Sequence, residues 1–297
     1  MRLISMPKCN CCKSCCKACQ SPISCNPALN PYYEYWDRFV NEWKNQNWTN
    51  INRLGWETPT FYGNNIVNNP GICTTDFLPE PWWGNNGMHP ISAVVINLNP
   101  GVGGNFHLHS NLQYIRNYSS FVDGLVSSYV SNNYPVPLGI ICEWHYNNRA
   151  LPIFEALQFN GVNLSGNDSL NNILSLELIP WHSMGWNNLG KYPQIHSQSI
   201  LDHVIKFAAE ASRCIQNERL NRCVIVRTSL ANIQAIFKGR YTITQKETKI
   251  GISKYAEIRF NNIGIDDVRF VLIWQEKQLS RNNLPHCTDF IKIIQKI

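Results

Sequence analysis

The residue types able to do chemistry cluster in four places along the chain. Asn97-Leu-Asn99-Pro100-Gly101 ends an apolar run. A carboxamide there can hold and orient a water molecule, but it is too weak a base to generate hydroxide. The glycines after Pro100 let another backbone or a ligand approach closely, and Phe106 adds an aromatic face. Pro180-Trp181-His182-Ser183 brings an imidazole and a hydroxyl to a turn. Leu279-Ser280-Arg281 sets one apolar side chain beside a hydroxyl and a guanidinium. Cys12-x-x-Cys15 and Cys16-x-x-Cys19 have the local spacing of zinc or iron–sulfur ligands.

Four short apolar strands are expected to position these groups. They are Ile91 to Asn99, Ile173 to Ile179, Cys223 to Thr228 and Val268 to Trp274. Each is rich in Val, Ile and Leu, as strands buried on both faces are. Pro100 has no amide hydrogen and cannot continue a central strand, so Asn99 falls where strand becomes loop. Helical patterns alternate with the strands. Ile200, Val204, Phe207, Ala208, Ala211 and Ile215 mark one face of a helix over 196–216, and a short helix follows over 230–237. Further helices are expected over 31–47, 112–130 and 147–157 (interrupted at Pro152), and from about Thr288. Residues 238–267 are polar and partly alternating, which suits a hairpin or an insertion.

Alternation of this kind predicts an α/β fold, a three-layer α/β/α sandwich on a central, mostly parallel four-stranded sheet. Its loops after the strands would share one rim, where open α/β sheets bind ligands. Asn99, His182, Thr228 and Leu279 to Arg281 would then converge. The organisation reads as a Cys-rich tail over 1–30, disordered or metal-binding, an N-terminal helix and connecting segment over 31–77, and the α/β/α domain over 78–297.

Composition narrows the function classes. The chain has 297 residues and a formal net charge of +6, which suits a polyanionic partner without demanding one. No run approaches the ~18–20 apolar residues of a membrane span, so no membrane partner and a cytoplasmic location are expected. Seven of the twelve cysteines lie in the first 25 residues. That distribution is unlike the spread cysteines of a disulfide-stapled secreted fold. Phosphate-cradling Gly-x-x-x-x-Gly-Lys-Ser/Thr and nucleophile-elbow Gly-x-Ser-x-Gly patterns are absent from the sequence. Glu143 and Glu177 lie in apolar runs and read either as buried acids or as edge residues facing water.

The remaining parts suit a flipped nucleobase. Such a base needs a stacking face and hydrogen bonds to its edge. The hole it leaves takes an apolar plug, a role open to Leu279, and Ser280 and Arg281 can hold flanking phosphates.

Asn97-Leu-Asn99-Pro-Gly101 resembles the first motif of the uracil-DNA glycosylase superfamily, nearest the mismatch-specific uracil/thymine branch, whose motif reads Gly-Ile-Asn-Pro-Gly. Pro79-Glu-Pro-Trp-Trp-Gly84-Asn resembles the lead-in of bacterial members. Gln275-Glu-Lys-Gln-Leu279-Ser280-Arg281 occupies the place of the branch's second motif, Asn-Pro-Ser-Gly-Leu-Ser-Arg. Asn97 replaces the first glycine, and Gln275-Glu276-Lys277 replaces the family's His or Asn. The resemblance spans residues ~78–297.

It implies a DNA glycosylase that hydrolyses the N-glycosidic bond of uracil or another damaged or mismatched base after base flipping. Asn99 would position water, and the shared rim of strand ends, not the resemblance, sets His182 beside it. Pro100, Gly101, Phe106 and Ser183 would line the base pocket, and Leu279, Ser280 and Arg281 would contact DNA. The partner implied is duplex DNA, bound by a monomer. No cofactor is required; the residues offer a place for zinc or an iron–sulfur cluster at Cys12, Cys15, Cys16 and Cys19. The alternative is a catalytically inactive member that binds nucleic acid or a nucleotide. A third reading is an unrelated hydrolase of a nucleoside-like substrate, with Glu177 or His182 as base.

Overall fold

A computed structural model describes residues 32, 34, 73–74, 82–84, 90–98, 156–161, 172–178, 182–183, 198–275 and 287–297. The described strands are β1 (Cys73–Thr74), β2 (Trp82–Gly84), β3 (Ala93–Asn97), β4 (Ile173–Glu177), β5 (His182–Ser183), β6 (Cys223–Val226), β7 (Tyr241–Ile250), β8 (Ser253–Phe260) and β9 (Arg269–Gln275). The longer described helices are α1 (Gln198–Arg213), α2 (Leu230–Phe237) and α3 (Cys287–Lys296). The expected helix over 112–130 lies outside the described residues, as does most of 31–47, of which Tyr32 and Glu34 are helical.

The four apolar runs form the centre of a mixed α/β sheet. β3 pairs in parallel with β4 on one side and β6 on the other, and β6 pairs in parallel with β9. Every side chain of β3, β4 and β6 is buried, which is why these segments lack polar alternation.

The sheet has seven strands, in the order β2-β4-β3-β6-β9-β8-β7, not the expected four. Nor is it mostly parallel, because the added strands are all antiparallel: β2 on β4, β8 on β9, and β7 on β8. β7 and β8 are the hairpin expected over 238–267; what the chemistry of the added strands hides is that they extend this sheet. β2 is Trp-Trp-Gly behind two prolines, too short for a periodic signal. β7 is a mostly exposed edge strand, Tyr-Thr-Ile-Thr-Gln-Lys-Glu-Thr-Lys-Ile, whose polarity belongs to an edge facing water. A separate two-stranded ladder joins β1 to β5.

Residues in register share a face of a sheet, which fixes where the helices lie. Trp82 is in register with Leu176, and its ring is 5.8 Å from that of Tyr32. Tyr32 stacks on Phe207 of α1, centroids 3.9 Å apart. α1 therefore covers the face of Leu174, Leu176, Val94 and Ile96. Phe237 of α2 meets Phe260 on that same face, and Phe260 meets Phe270 edge-on. α3 lies on the opposite face, where Asp289 accepts a hydrogen bond from the Ser253 hydroxyl. Asn160, just after the helical turn 156–159, donates to the Ile291 carbonyl of α3 at 3.4 Å.

Candidate functional site at the carboxyl ends of the central strands

Since β3, β4, β6 and β9 run in parallel, their carboxyl ends form one rim. The chain passes from β3 to β4 on one side, then to β6 on the other. The crossovers part at β3, and that divergence opens a crevice in sheets of this class. Both ladders hold to the rim. The Leu178 amide donates to the Asn97 carbonyl and the Arg227 amide to the Ile96 carbonyl, each at 2.9 Å.

A polar cluster occupies the rim on the face opposite α1. Asn97, Ser175 and Glu177 are buried, with Glu177 only 1% exposed. The Asn97 side-chain amide donates to Ser175 Oγ at 2.9 Å and to Glu177 Oε1 at 3.2 Å. Its oxygen accepts from Arg227 Nη1 at 3.3 Å. A carboxylate on one side and a guanidinium on the other decide which end of the amide is oxygen. Asn97 thus bridges an anion on β4 and a cation just beyond β6. A buried charge is costly unless it is hydrogen-bonded or paired, so the three side chains hold one another in place.

Next to Arg227, Thr228 is buried and accepts from Asn232 Nδ2 at 3.0 Å. Ser229 caps α2, its hydroxyl accepting from the Asn232 amide. The turn after β6 is therefore tied to the helix behind it. Chemically, this arrangement makes a rigid floor. Glu177, with its carboxyl turned to Asn97, orients that residue, and it is too buried to activate a bulk water.

Of the site residues read from the sequence, Asn99, Pro100, Gly101, Phe106, Leu279, Ser280 and Arg281 lie outside the described residues, as do Glu143, Cys12, Cys15, Cys16 and Cys19. His182 and Ser183 form β5, opposite Thr74 and Cys73 respectively. Among the described residues, no group of three or more His, Cys, Asp or Glu side chains is placed to hold a metal ion.

Arg227 and Ser175 escaped the sequence reading, and Asn97 entered it only as a substituted glycine. The available signal was positional. Asn97, Glu177 and Arg227 each interrupt an apolar strand at its carboxyl end, where nothing about packing asks for a polar group.

Two shifted titrations lie away from this rim. Burial, then the neighbouring Lys206 charge, lowers the His203 pKa on α1. Burial pushes the Cys223 thiol up to about 12.

No helix among the described residues is long and apolar enough to cross a membrane. Compared with protein-family models, characterised proteins and solved structures, the chain finds no match.

Proposed function

We propose that the chain is a DNA glycosylase with a three-layer α/β/α fold, acting on uracil or another damaged or mismatched base in duplex DNA. One observation carries the reading. The strand that leads to Asn99-Pro100-Gly101 is the one at which the crossovers part, and its last residue is pinned from both sides by Glu177 and Arg227. A group that must orient water within tenths of an ångström needs such a fixed base.

In this reading the target nucleotide swings out of the duplex and its base stacks on Phe106, against the Pro100-Gly101 backbone. Asn99 orients a water toward the sugar C1′, and the bond to the base breaks through an oxocarbenium-like state. Leu279 fills the vacated stack, and Ser280 and Arg281 hold phosphates. His182 and Ser183 follow β4 and border the same pocket. The protein acts as a cytoplasmic monomer without a required cofactor, and zinc or an iron–sulfur cluster at Cys12, Cys15, Cys16 and Cys19 would be accessory. The +6 net charge supports a polyanionic partner.

A specific observation favours a second reading, that of a catalytically silent DNA-binding member. β9 ends at Gln275, and Glu276-Lys277 follows where the resembled family carries His or Asn. Without that His or Asn, the family's hydrogen bond to the base carbonyl is missing.

The test is direct. Duplexes with a single uracil, a G·T mismatch or a hypoxanthine are incubated with the protein and treated with alkali to reveal abasic sites. Excision by the wild type, reduced at least about a hundredfold in Asn99→Ala, is expected. DNA binding without any abasic product selects the silent reading. Excision undiminished by Asn99→Ala removes Asn99 from its role.

A further inference from the structure

The antiparallel strands added at the sheet edge bring a second feature to the rim. Ser253, the first residue of β8, is in register with Gln275, the last residue of β9. The turn between β7 and β8 therefore lies at the carboxyl ends, the same end of the sheet as Asn97 and Arg227.

That turn is built to hold a shape. Gly251 adopts a left-handed backbone, φ 60°. The buried Asp289 carboxylate of α3 accepts from the Ile252 amide at 3.1 Å and from the Ser253 hydroxyl at 3.0 Å. Ile252, at the tip, is 58% exposed. A lone exposed isoleucine is ordinary, but one on a braced turn at a ligand rim is positioned.

Charge supplies the second observation. Lys249 and Lys254 are directly opposite each other immediately below the tip, and like charges in that relation oppose pairing. Glu247 answers Lys254 at 2.5 Å. Lys246 adds a third cation, and both it and Lys249 are exposed. Three lysines against Glu247 make this end of the hairpin net positive, which complements a polyanion.

We propose that this hairpin tip is a second contact surface for duplex DNA, with Ile252 set against a groove and Lys246 and Lys249 on phosphates. The proposal rests on the glycosylase reading for where the duplex lies. From β3 to β8 are three strand spacings, roughly 14 Å at ~4.8 Å each. With ~3.4 Å per base step, the contact falls about four base pairs from the flipped nucleotide.

Binding of the full-length protein to a fluorescein-labelled duplex, with and without a single uracil, tests this by anisotropy between about 50 and 200 mM salt. Lys246→Ala with Lys249→Ala is expected to weaken binding roughly tenfold and to lower the salt slope by about 2. Ile252→Ser is expected to erase hydroxyl-radical protection about four base pairs from the uracil. Unchanged melting temperatures show that the variants fold, and Lys246→Ala alone, with a slope change of about 1, serves if the pair does not. Unchanged affinity, slope and footprint overturn the proposal, as does a wild type that binds no duplex. Binding that depends on the hairpin but yields no abasic product sinks the glycosylase activity alone. Excision of uracil with hairpin-independent binding sinks the hairpin contact alone.

Discussion

Arg227 Nη1 donates to Asn97 Oδ1 at 3.3 Å, joining the turn after β6 to the last residue of β3. Glu177 completes the bridge from the β4 side. Stability and rim geometry are coupled through this single amide.

Replacing Asn97 by Leu keeps the branched shape of the side chain but takes hydrogen bonds from Ser175, Glu177 and Arg227 together. The expected loss is about 2–4 kcal/mol of unfolding free energy, since a buried carboxylate loses a donor. Urea denaturation with an unchanged slope of free energy against denaturant checks it. A loss under about 0.5 kcal/mol, the scale of an ordinary surface change, contradicts the bridge.

Gly251 should tolerate no side chain. An added Cβ would collide with the Asp289 carboxylate, and the left-handed backbone costs another ~1–2 kcal/mol in any L-residue. Gly251→Ala is expected to destabilise the protein by more than that backbone cost alone. Removing the clashing carboxylate in Gly251→Ala/Asp289→Ala should make the two changes markedly less than additive. Additive melting shifts would contradict the contact.

His203 predicts the shape of the acid limb of stability. Its folded-state pKa lies below the ordinary 6.5 because burial, then the Lys206 charge, disfavours the imidazolium. Above 6.5 both folded and unfolded chains hold it neutral. As pH falls through that value the unfolded chain takes up the proton first, so stability declines until the lower folded-state pKa is passed. Melting curves from about pH 7.5 to about pH 5.5 should show a decline that His203→Phe reduces. An identical slope in both proteins would refute the assignment.

Cys223 should resist alkylation in the native state. It begins β6, fully buried, and desolvation lifts its thiol pKa to about 12, so almost no thiolate exists near neutrality. Peptide mapping after iodoacetamide at pH 8 is expected to find the peptide carrying Cys223 unmodified, while half-buried Cys214 reacts. Rapid labelling of Cys223 would mean that β6 opens readily.

The sequence made the central strands legible because burial on both faces leaves no freedom for polar residues, and β3, β4, β6 and β9 all appear where apolar runs predict them. α2 appears at 230–237 as expected, and α1 ends at Arg213, three residues before its expected end. The edges were legible only in part: the hairpin expected over 238–267 is β7 and β8, but nothing in it announced that it extends the central sheet. β7 alternates around Thr, Gln and Lys, with register shifts between Ile243 and Gln245 and between Gln245 and Thr248, so no clean period survives. Trp82, in a segment too short for a periodic signal, is an edge strand's own core residue. The polar floor of the rim was only half visible. Glu177 stood out as an acid among apolar neighbours, but its partner on the next strand is distant in sequence and no local spacing announces it.

That distance has a consequence for biogenesis. Arg227 and Asn97 are 130 residues apart, and β3 is incomplete until β6 joins it. At ~5–20 residues per second, synthesis of the intervening chain takes on the order of ten seconds. For that interval an apolar Ala-Val-Val-Ile segment has emerged before its second neighbour, and it exposes the kind of surface that makes unfinished chains prone to aggregate.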